Sequence, residues 1–117
     1  MRKTFLLALL LSALRLLNAE DFTASEAAAH VRETVTVCGK VTGTHYAAAS
    51  RGKPTFINFD KPYPNQDFTV MVWDDDRAGF GDLDKYTGRQ ICAHGVITEY
   101  RGKPEMILRS PDSLQAK

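Results

Sequence analysis

From Thr34 onward, apolar and polar residues alternate along the chain, and this period of two constrains the fold more than any other feature. Within Thr34–Val41, the side chains of Val35, Val37 and Val41 fall on one face of an extended chain, because successive residues of a strand point to opposite sides. The pattern predicts a strand that is buried on one face only.

Four further segments read as strands, and together they predict an all-β domain. The five predicted strands are Thr34–Val41, Thr55–Phe59, Phe68–Trp73, Gln90–Tyr100 and Glu105–Arg109. Five strands with a helix between the third and the fourth is the order of an OB-fold barrel. An open five-stranded sheet and an SH3-like barrel are the alternatives.

Two short helices are expected beside these strands. Thr23 and Glu26 have the spacing of a capping box and precede three alanines, which predicts a short N-terminal helix. Three aspartates from Asp74 are typical of a first helical turn, where carboxylates accept free amides, so a helix is predicted from about Asp75 to Phe80.

Residues 1–19 have the composition of a secretory signal. Arg2 and Lys3 precede a short apolar stretch, and Ala19 offers a cleavage point before Glu20. A membrane anchor or a buried helix is the alternative. The expected mature domain is 20–117, exported to the periplasm or secreted, with no segment left that inserts stably into a membrane.

Loss of residues 1–19 would change the charge balance. The whole chain has 15 Lys and Arg residues and 14 Asp and Glu residues. Arg2, Lys3 and Arg15 lie in the removed segment, which has no acid, so the remainder has a net charge of 12 − 14 = −2 with histidine neutral. Proteins that bind nucleic acid through phosphates are usually basic, so this charge argues against such a role.

Cys38 and Cys92 both lie in the expected mature domain. An even cysteine count in a small exported domain favours a disulfide, and two separate buried thiols are the alternative. In both strands the cysteine lies opposite the aliphatic set, so the two would face the same side if the strands pair. The three histidines are scattered and no Cys or His spacing matches a zinc site, so we expect neither a metal nor a cofactor.

The tetrapeptide Arg-Gly-Lys-Pro occurs twice, each time near the start of a predicted strand. Glycine and proline suit a tight turn, which explains the repeat without any function. In an OB fold, however, these loops would join strands one to two and four to five and flank the ligand face. The candidate ligand-binding cations are Arg51, Lys53, Arg101 and Lys103.

The alternation also assigns faces on the second and third predicted strands. If Ile57 fills the interior, then Phe56, Asn58, Met71 and Trp73 point outward. Exposed aromatics on that face could stack on bases or sugars. The alternative is that the N-terminal helix or the C-terminal tail covers them.

The segments Val35–Val41 and Gly52–Phe59 resemble the OB-fold anticodon-binding domains of aspartyl- and lysyl-tRNA synthetases. The overall likeness, over about Val31–Pro111, is closer to small exported bacterial OB-fold proteins of unassigned function. The synthetase resemblance implies that Phe56 stacks on a base. Two positions depart: Asp60 replaces the arginine of the synthetase pattern, and Arg32 stands where the exported proteins tend to have glycine.

The residues predict a binding protein and not an enzyme. No nucleophile and base can be paired, and no arrangement of cations and carboxylates resembles a nuclease site. One hypothesis is an exported OB-fold module that binds single-stranded nucleic acid. The alternative is a periplasmic or secreted module that binds a protein of the cell envelope or a small ligand.

Overall fold

A computed structural model describes residues 21–117. The predicted signal segment lies outside these residues. The strands are β1 (Asp21–Thr23), β2 (Thr34–Tyr46), β3 (Thr55–Phe59), β4 (Phe68–Val72), β5 (Gln90–Tyr100), β6 (Lys103–Ile107) and β7 (Leu114–Ala116). Helix α1 is Asp74–Phe80, and the 3-10 helices are Ala24–His30, Leu83–Tyr86 and Pro111–Ser113.

Five of the strands form a closed ring in the order β2-β3-β4-β6-β5, since β5 pairs back onto β2. Neighbours in the ring are antiparallel except β4 and β6, which are parallel. The all-β prediction is confirmed, and α1 lies between the third and fourth ring strands as predicted. The three-residue strands β1 and β7, which the sequence did not predict, pair with β2 and β5 outside the ring.

The core lies inside the ring and follows the predicted alternation. Ile57 and Phe59 of β3 and Val70 and Val72 of β4 are fully buried, as expected. The other ring strands contribute further fully buried side chains: Val37, Val41, Ile91, Ala93, Ile97 and Met106. Ala24 and Ala27 of the N-terminal 3-10 helix join the same cluster, so that helix packs into the core and does not lie over the outward face of β3.

Strand β2 is longer than predicted because it pairs with its two ring neighbours along different parts of its length. Its first half, Thr34–Lys40, pairs with β5, and Val41–Tyr46 pairs with β3 after a register shift between Val41 and Gly43. At this crossover a Cβ on Gly39 would stand 2.8 Å from Oδ1 of Asp60, which accepts from the Lys40 N–H. A side chain at position 39 would therefore displace the Asp60 carboxylate from this hydrogen bond, which explains the glycine.

Several predicted boundaries were wrong by a few residues. Strand β6 covers Lys103–Ile107 in place of 105–109, so the second Arg-Gly-Lys-Pro copy overlaps the strand. Strand β4 ends at Val72, and Trp73 is the N-cap of α1. Within residues 21–117, no helix is long and apolar enough to cross a membrane.

The disulfide between Cys38 and Cys92 is confirmed, and it joins directly opposed residues of β2 and β5. The half-cystines are 54 residues apart in sequence. The bond therefore locks the pairing that closes the ring, and it excludes the alternative of two separate thiols.

We expect the double variant Cys38→Ser/Cys92→Ser to lose about 4 kcal/mol of unfolding free energy, because a cross-link over a loop of this length restricts the unfolded chain. Urea unfolding of both proteins, with and without dithiothreitol, measures the loss. Reductant should lower the stability of the wild type only. Equal stability of oxidised wild type and variant would contradict the expectation.

Arg32 occupies the left-handed region with φ of 73°, and its N–H donates to the Ile97 carbonyl at 2.7 Å. Because a Cβ is unfavourable there, we expect Arg32→Gly to be more stable than Arg32→Ala by about 1 kcal/mol. Both variants lose the same charge, so the alanine variant isolates the backbone effect in urea unfolding. An equal stability of the two variants would count against it.

Candidate ligand-binding groove

An open groove of about 660 Å³ crosses the outward face of the ring. Its walls come from the ends of β2 and β5, from the 47–54 loop and from the chain between β3 and β4. Its floor is formed by outward side chains of β3, β4 and β6. We call this cavity the strand-face groove.

Three aromatic side chains line the strand-face groove. Phe56 of β3 is half-buried and lies opposite the exposed His45 of β2. Tyr63 is 76% exposed and Tyr100 is 56% exposed, so both rings are free to stack on a ligand. Flat apolar faces that remain accessible are suited to bases and sugars.

A hydrogen-bonded polar chain crosses the floor between these aromatics. Gln66 Nε2 donates to Thr69 Oγ1 at 3.2 Å, and Thr69 Oγ1 donates to Asn58 Oδ1 at 3.2 Å. Asn58 and Thr69 are each only 6% exposed. Because the Thr69 hydroxyl has one proton, which it donates to Asn58, it can only accept from Gln66. The hydrogen bonds therefore run in one direction, from Gln66 to Asn58.

Glu105 of β6 is the acidic residue among those that line the groove. It is half-buried, and burial raises the pKa of its carboxyl above the ordinary value for glutamate. None of the four ion pairs found within residues 21–117 includes it. A half-buried carboxylate without a cation is costly, and such groups concentrate at binding sites.

The groove brings together three of the predicted site residues, namely Phe56, Asn58 and Arg101. The Arg101 guanidinium lies 5.2 Å from the centroid of the Tyr100 ring, at the mouth of the groove. Asn58 points outward as predicted but is almost wholly covered. It contributes to the floor and not to an open surface.

Met71 and Trp73, both predicted to point outward, are not part of the groove lining. Met71 is 5% exposed. Trp73 is half-buried under the turn of the 47–54 loop, where a Cβ on Gly52 would stand 2.7 Å from its ring. The indole is therefore partly covered by the protein's own backbone.

The remaining predicted cations are exposed but differ in what they contact. Arg51 and Lys53 lie in the 47–54 loop, whose Ala47 and Ser50 line the groove. Lys103 Nζ donates to the carbonyls of Pro64 and Gln66, so its charge is held against the chain between β3 and β4.

Sequence reasoning missed Glu105, Tyr63, Tyr100 and Gln66. The parallel pairing of β4 with β6 places Glu105 beside Thr69, and no local pattern shows a pairing of this kind. Glu105 does carry one signal in the sequence, since it is the one acid in the predicted strand Glu105–Arg109.

A cluster of possible metal ligands occurs elsewhere in residues 21–117, at Asp21, Cys38 and Cys92. The two sulfur atoms are bonded to each other, so neither is a thiolate. Thiolates, and not disulfide sulfurs, are the usual cysteine ligands of metals. The cluster is therefore explained by the disulfide and by Asp21 beside it.

Comparison with known proteins relates the chain to others by fold alone. A protein described as a putative aspartyl-tRNA synthetase from Leishmania major Friedlin aligns with a TM-score of 0.54 and 14% identity, over 86% of this chain. The chain spans 21% of the length of that protein. The sequence matches no protein-family model, and no curated protein matches it. The predicted likeness to small exported OB-fold proteins therefore stays a prediction.

We expect Glu105→Gln to raise the free energy of unfolding at neutral pH, because burial disfavours the charged carboxylate. With its pKa raised on folding, the native state binds this proton more tightly than the unfolded chain does. The penalty is therefore full above the raised pKa, and it disappears as the pH falls to the ordinary range of glutamate.

Urea unfolding at neutral and at acid pH tests this difference. Glu99→Gln is the matched control, because Glu99 is exposed on the neighbouring strand β5. The control should change little at either pH. A loss of stability in Glu105→Gln at neutral pH would show that the carboxylate is structural.

Proposed function

We propose that the ring is an OB fold and that the protein is an exported binding module whose strand-face groove holds single-stranded nucleic acid. The observation that carries this proposal is the groove itself, which lies across the second and third ring strands between the two Arg-Gly-Lys-Pro loops. OB folds bind oligonucleotides and oligosaccharides at this position.

The topology supports the OB assignment. Numbered within the ring, the strand order is 1-2-3-5-4-1, with the third and fifth strands parallel and α1 between the third and fourth. The fold likeness to a putative aspartyl-tRNA synthetase supports a nucleic-acid ligand, since synthetases act on tRNA. The disulfide is compatible with export, because exported compartments are oxidising.

The chemistry of the groove supports bases inside and phosphates outside. Phe56, Tyr63 and Tyr100 offer stacking surfaces along the cavity, while Arg101 at its mouth and Arg51 and Lys53 in the adjoining loop are exposed cations. Such an arrangement needs only local positive charge. The net charge of −2 predicted for the domain 20–117 does not exclude it.

We propose that this module binds and does not catalyse. The groove combines amide, hydroxyl and aromatic groups with one carboxylate, Glu105, one imidazole, His45, and one guanidinium, Arg101. Within residues 21–117, the side-chain hydrogen bonds of histidine are those of His30 and His94, so His45 is not paired with Glu105. General acid–base or nucleophilic chemistry needs a pair of groups in reach of one reacting atom.

A second candidate is an uncharged polar ligand, such as a sugar, or a segment of an envelope protein. The observation that favours it is Glu105, because a carboxylate on the groove floor repels phosphate and accepts hydroxyl or amide hydrogens. Under this candidate the cations of the two loops serve the turns and not the ligand.

Fluorescence anisotropy of a labelled mixed-sequence single-stranded oligonucleotide, titrated with the protein at low and at physiological salt, tests the proposal. We expect saturable binding that weakens with salt. Phe56→Leu should weaken it roughly tenfold, because one stacking contact is lost. Arg101→Gln should weaken it and also reduce the salt slope.

The choice of substitutions separates the two contributions to binding. Leucine at position 56 preserves apolar volume, and Arg109→Gln removes an exposed cation outside the groove lining. A flat titration at low salt, where attraction to phosphate is greatest, would overturn the nucleic-acid proposal. It would direct the search to sugars and to co-purifying envelope proteins.

A further inference from the structure

A carboxylate lies beside the disulfide where β1 joins the sheet. Cys38 of β2 is directly opposite Cys92 of β5, and the parallel pairing of β1 with β2 places Asp21 beside Thr36, two positions from Cys38. One carboxylate oxygen of Asp21 and the two Sγ atoms all lie within 4.8 Å of one another. We call Asp21, Cys38 and Cys92 the β1 cluster.

Backbone pairing positions the β1 cluster independently of the sulfur–sulfur bond. Seven residue pairs join β2 to β5, and three join β1 to β2. Reduction of the disulfide would therefore leave two thiols facing each other across the paired strands, with the Asp21 carboxylate beside them.

An open cavity of about 280 Å³ gives access to the disulfide. Cys92 lines this cavity, together with Thr36, His94 and Asp112 among others. Cys92 is half-buried, whereas Cys38 is 8% exposed. Thiol–disulfide exchange begins when a thiolate attacks one sulfur of the bond. The cavity therefore provides a route to the Cys92 side of the disulfide in the folded protein.

We propose that reduction of this disulfide by a dithiol converts the β1 cluster into a zinc site, with the thiolates of Cys38 and Cys92 and the carboxylate of Asp21 as ligands. The dithiol supplies two electrons and two protons and is itself oxidised to a disulfide. The two cysteine thiols then release their protons on binding Zn²⁺. Among residues 21–117, the cavity beside this site shares no lining residue with the strand-face groove.

The donor atoms of the β1 cluster favour zinc. Thiolates and carboxylates are usual zinc ligands, whereas Mg²⁺ and Ca²⁺ prefer sites built from oxygen atoms alone. Zinc held by three protein ligands takes water in the fourth position, and the cavity beside Cys92 is open to water. Ligand atoms of a tetrahedral zinc site with these donors are roughly 3.6–3.8 Å apart. Since the three ligand atoms already lie within 4.8 Å of one another, side-chain rotation can reach this spacing without movement of the strands.

The charge around the β1 cluster also suits this metal. Two thiolates and one carboxylate exceed the charge of Zn²⁺ by one, and the Lys117 ammonium, 4.0 Å from Asp21 Oδ2, offsets the excess. Bound zinc would tie β1, β2 and β5 together. It would therefore replace, under reducing conditions, the cross-link that the disulfide provides under oxidising ones.

Zinc binding by the reduced and the oxidised full chain tests the proposal. The protein is reduced with an immobilised dithiol, which is removed under anaerobic conditions, and is then titrated with Zn²⁺ in competition with a chromogenic chelator. We expect the reduced protein to bind one zinc ion and the oxidised protein to bind none over the same range. Co²⁺ in place of zinc should give the sulfur-to-metal charge-transfer absorption of a thiolate site.

Matched variants identify the ligands. Loss of a group that only orients a metal ligand costs roughly 10–100-fold in affinity, so loss of the ligand itself in Asp21→Asn should weaken zinc binding at least about tenfold. Asp112→Asn is the control, because Asp112 is an exposed carboxylate that lines the same cavity outside the β1 cluster. Cys38→Ser/Cys92→Ser should bind no zinc in either state.

Urea unfolding distinguishes a folded zinc site from the thiols of an unfolded chain. Zinc should raise the unfolding midpoint of the reduced wild type, because it binds the native state, and should leave that of the oxidised protein unchanged. Equal zinc affinity of the reduced and oxidised proteins, or of Asp21→Asn and Asp112→Asn, would overturn the proposal. Zinc binding that fails to raise the midpoint of the reduced protein would overturn it as well.

Discussion

The pairing of β2 with β5 is the interaction on which the rest of the molecule depends. It runs over seven residue pairs, from Thr34 opposite Val96 to Lys40 opposite Gln90. Without it the five strands would form an open sheet with two unpaired edges, and the aliphatic face would have no interior to fill. Closure gives each ring strand one face in a shared core and one face outside it, and on β4 the outer side chains Thr69 and Met71 are also nearly covered. The Cys38–Cys92 bond lies within this pairing and secures it.

Much of the ring could be predicted because alternation is a local signal. Each inward side chain of β3 and β4 follows from a period of two, and the opposed cysteines follow from the same rule applied to β2 and β5. Strands β1 and β7 could not be predicted. Each has three residues and is held by backbone pairing to a neighbour distant in sequence, so it has no side-chain period of its own. The extension of β2 to Tyr46 was hidden for a related reason, because Thr42, Gly43 and Thr44 are small or polar.

The residues of the candidate site also differ in whether a local pattern predicts them. Phe56 and Asn58 were accessible to prediction, since parity along one strand decides which way they point. Glu105 was not, because its place beside Thr69 depends on the parallel contact of two strands separated by α1 and the whole of β5.

The repeated tetrapeptide Arg-Gly-Lys-Pro shows that the surrounding structure, and not the local sequence alone, decides the conformation of a turn. The first copy has positive φ at Gly52 and Lys53, whereas the second has it at Arg101 and Gly102 and forms a two-residue hairpin turn. Identical sequence therefore directs its cations differently.

The contact between Gly52 and Trp73 has a consequence for how this protein can be observed. Trp73 is the single tryptophan of the chain, and its indole lies against the backbone of the 47–54 loop, outside the groove lining. Its emission therefore reports the position of that loop and not the occupancy of the groove. A change in the emission of Trp73 on adding a ligand would show that the groove wall moves. An unchanged emission would show that the wall is rigid, whether or not the groove is occupied. The intrinsic fluorescence of Trp73 thus reports the conformation of the 47–54 loop, without any label on the ligand.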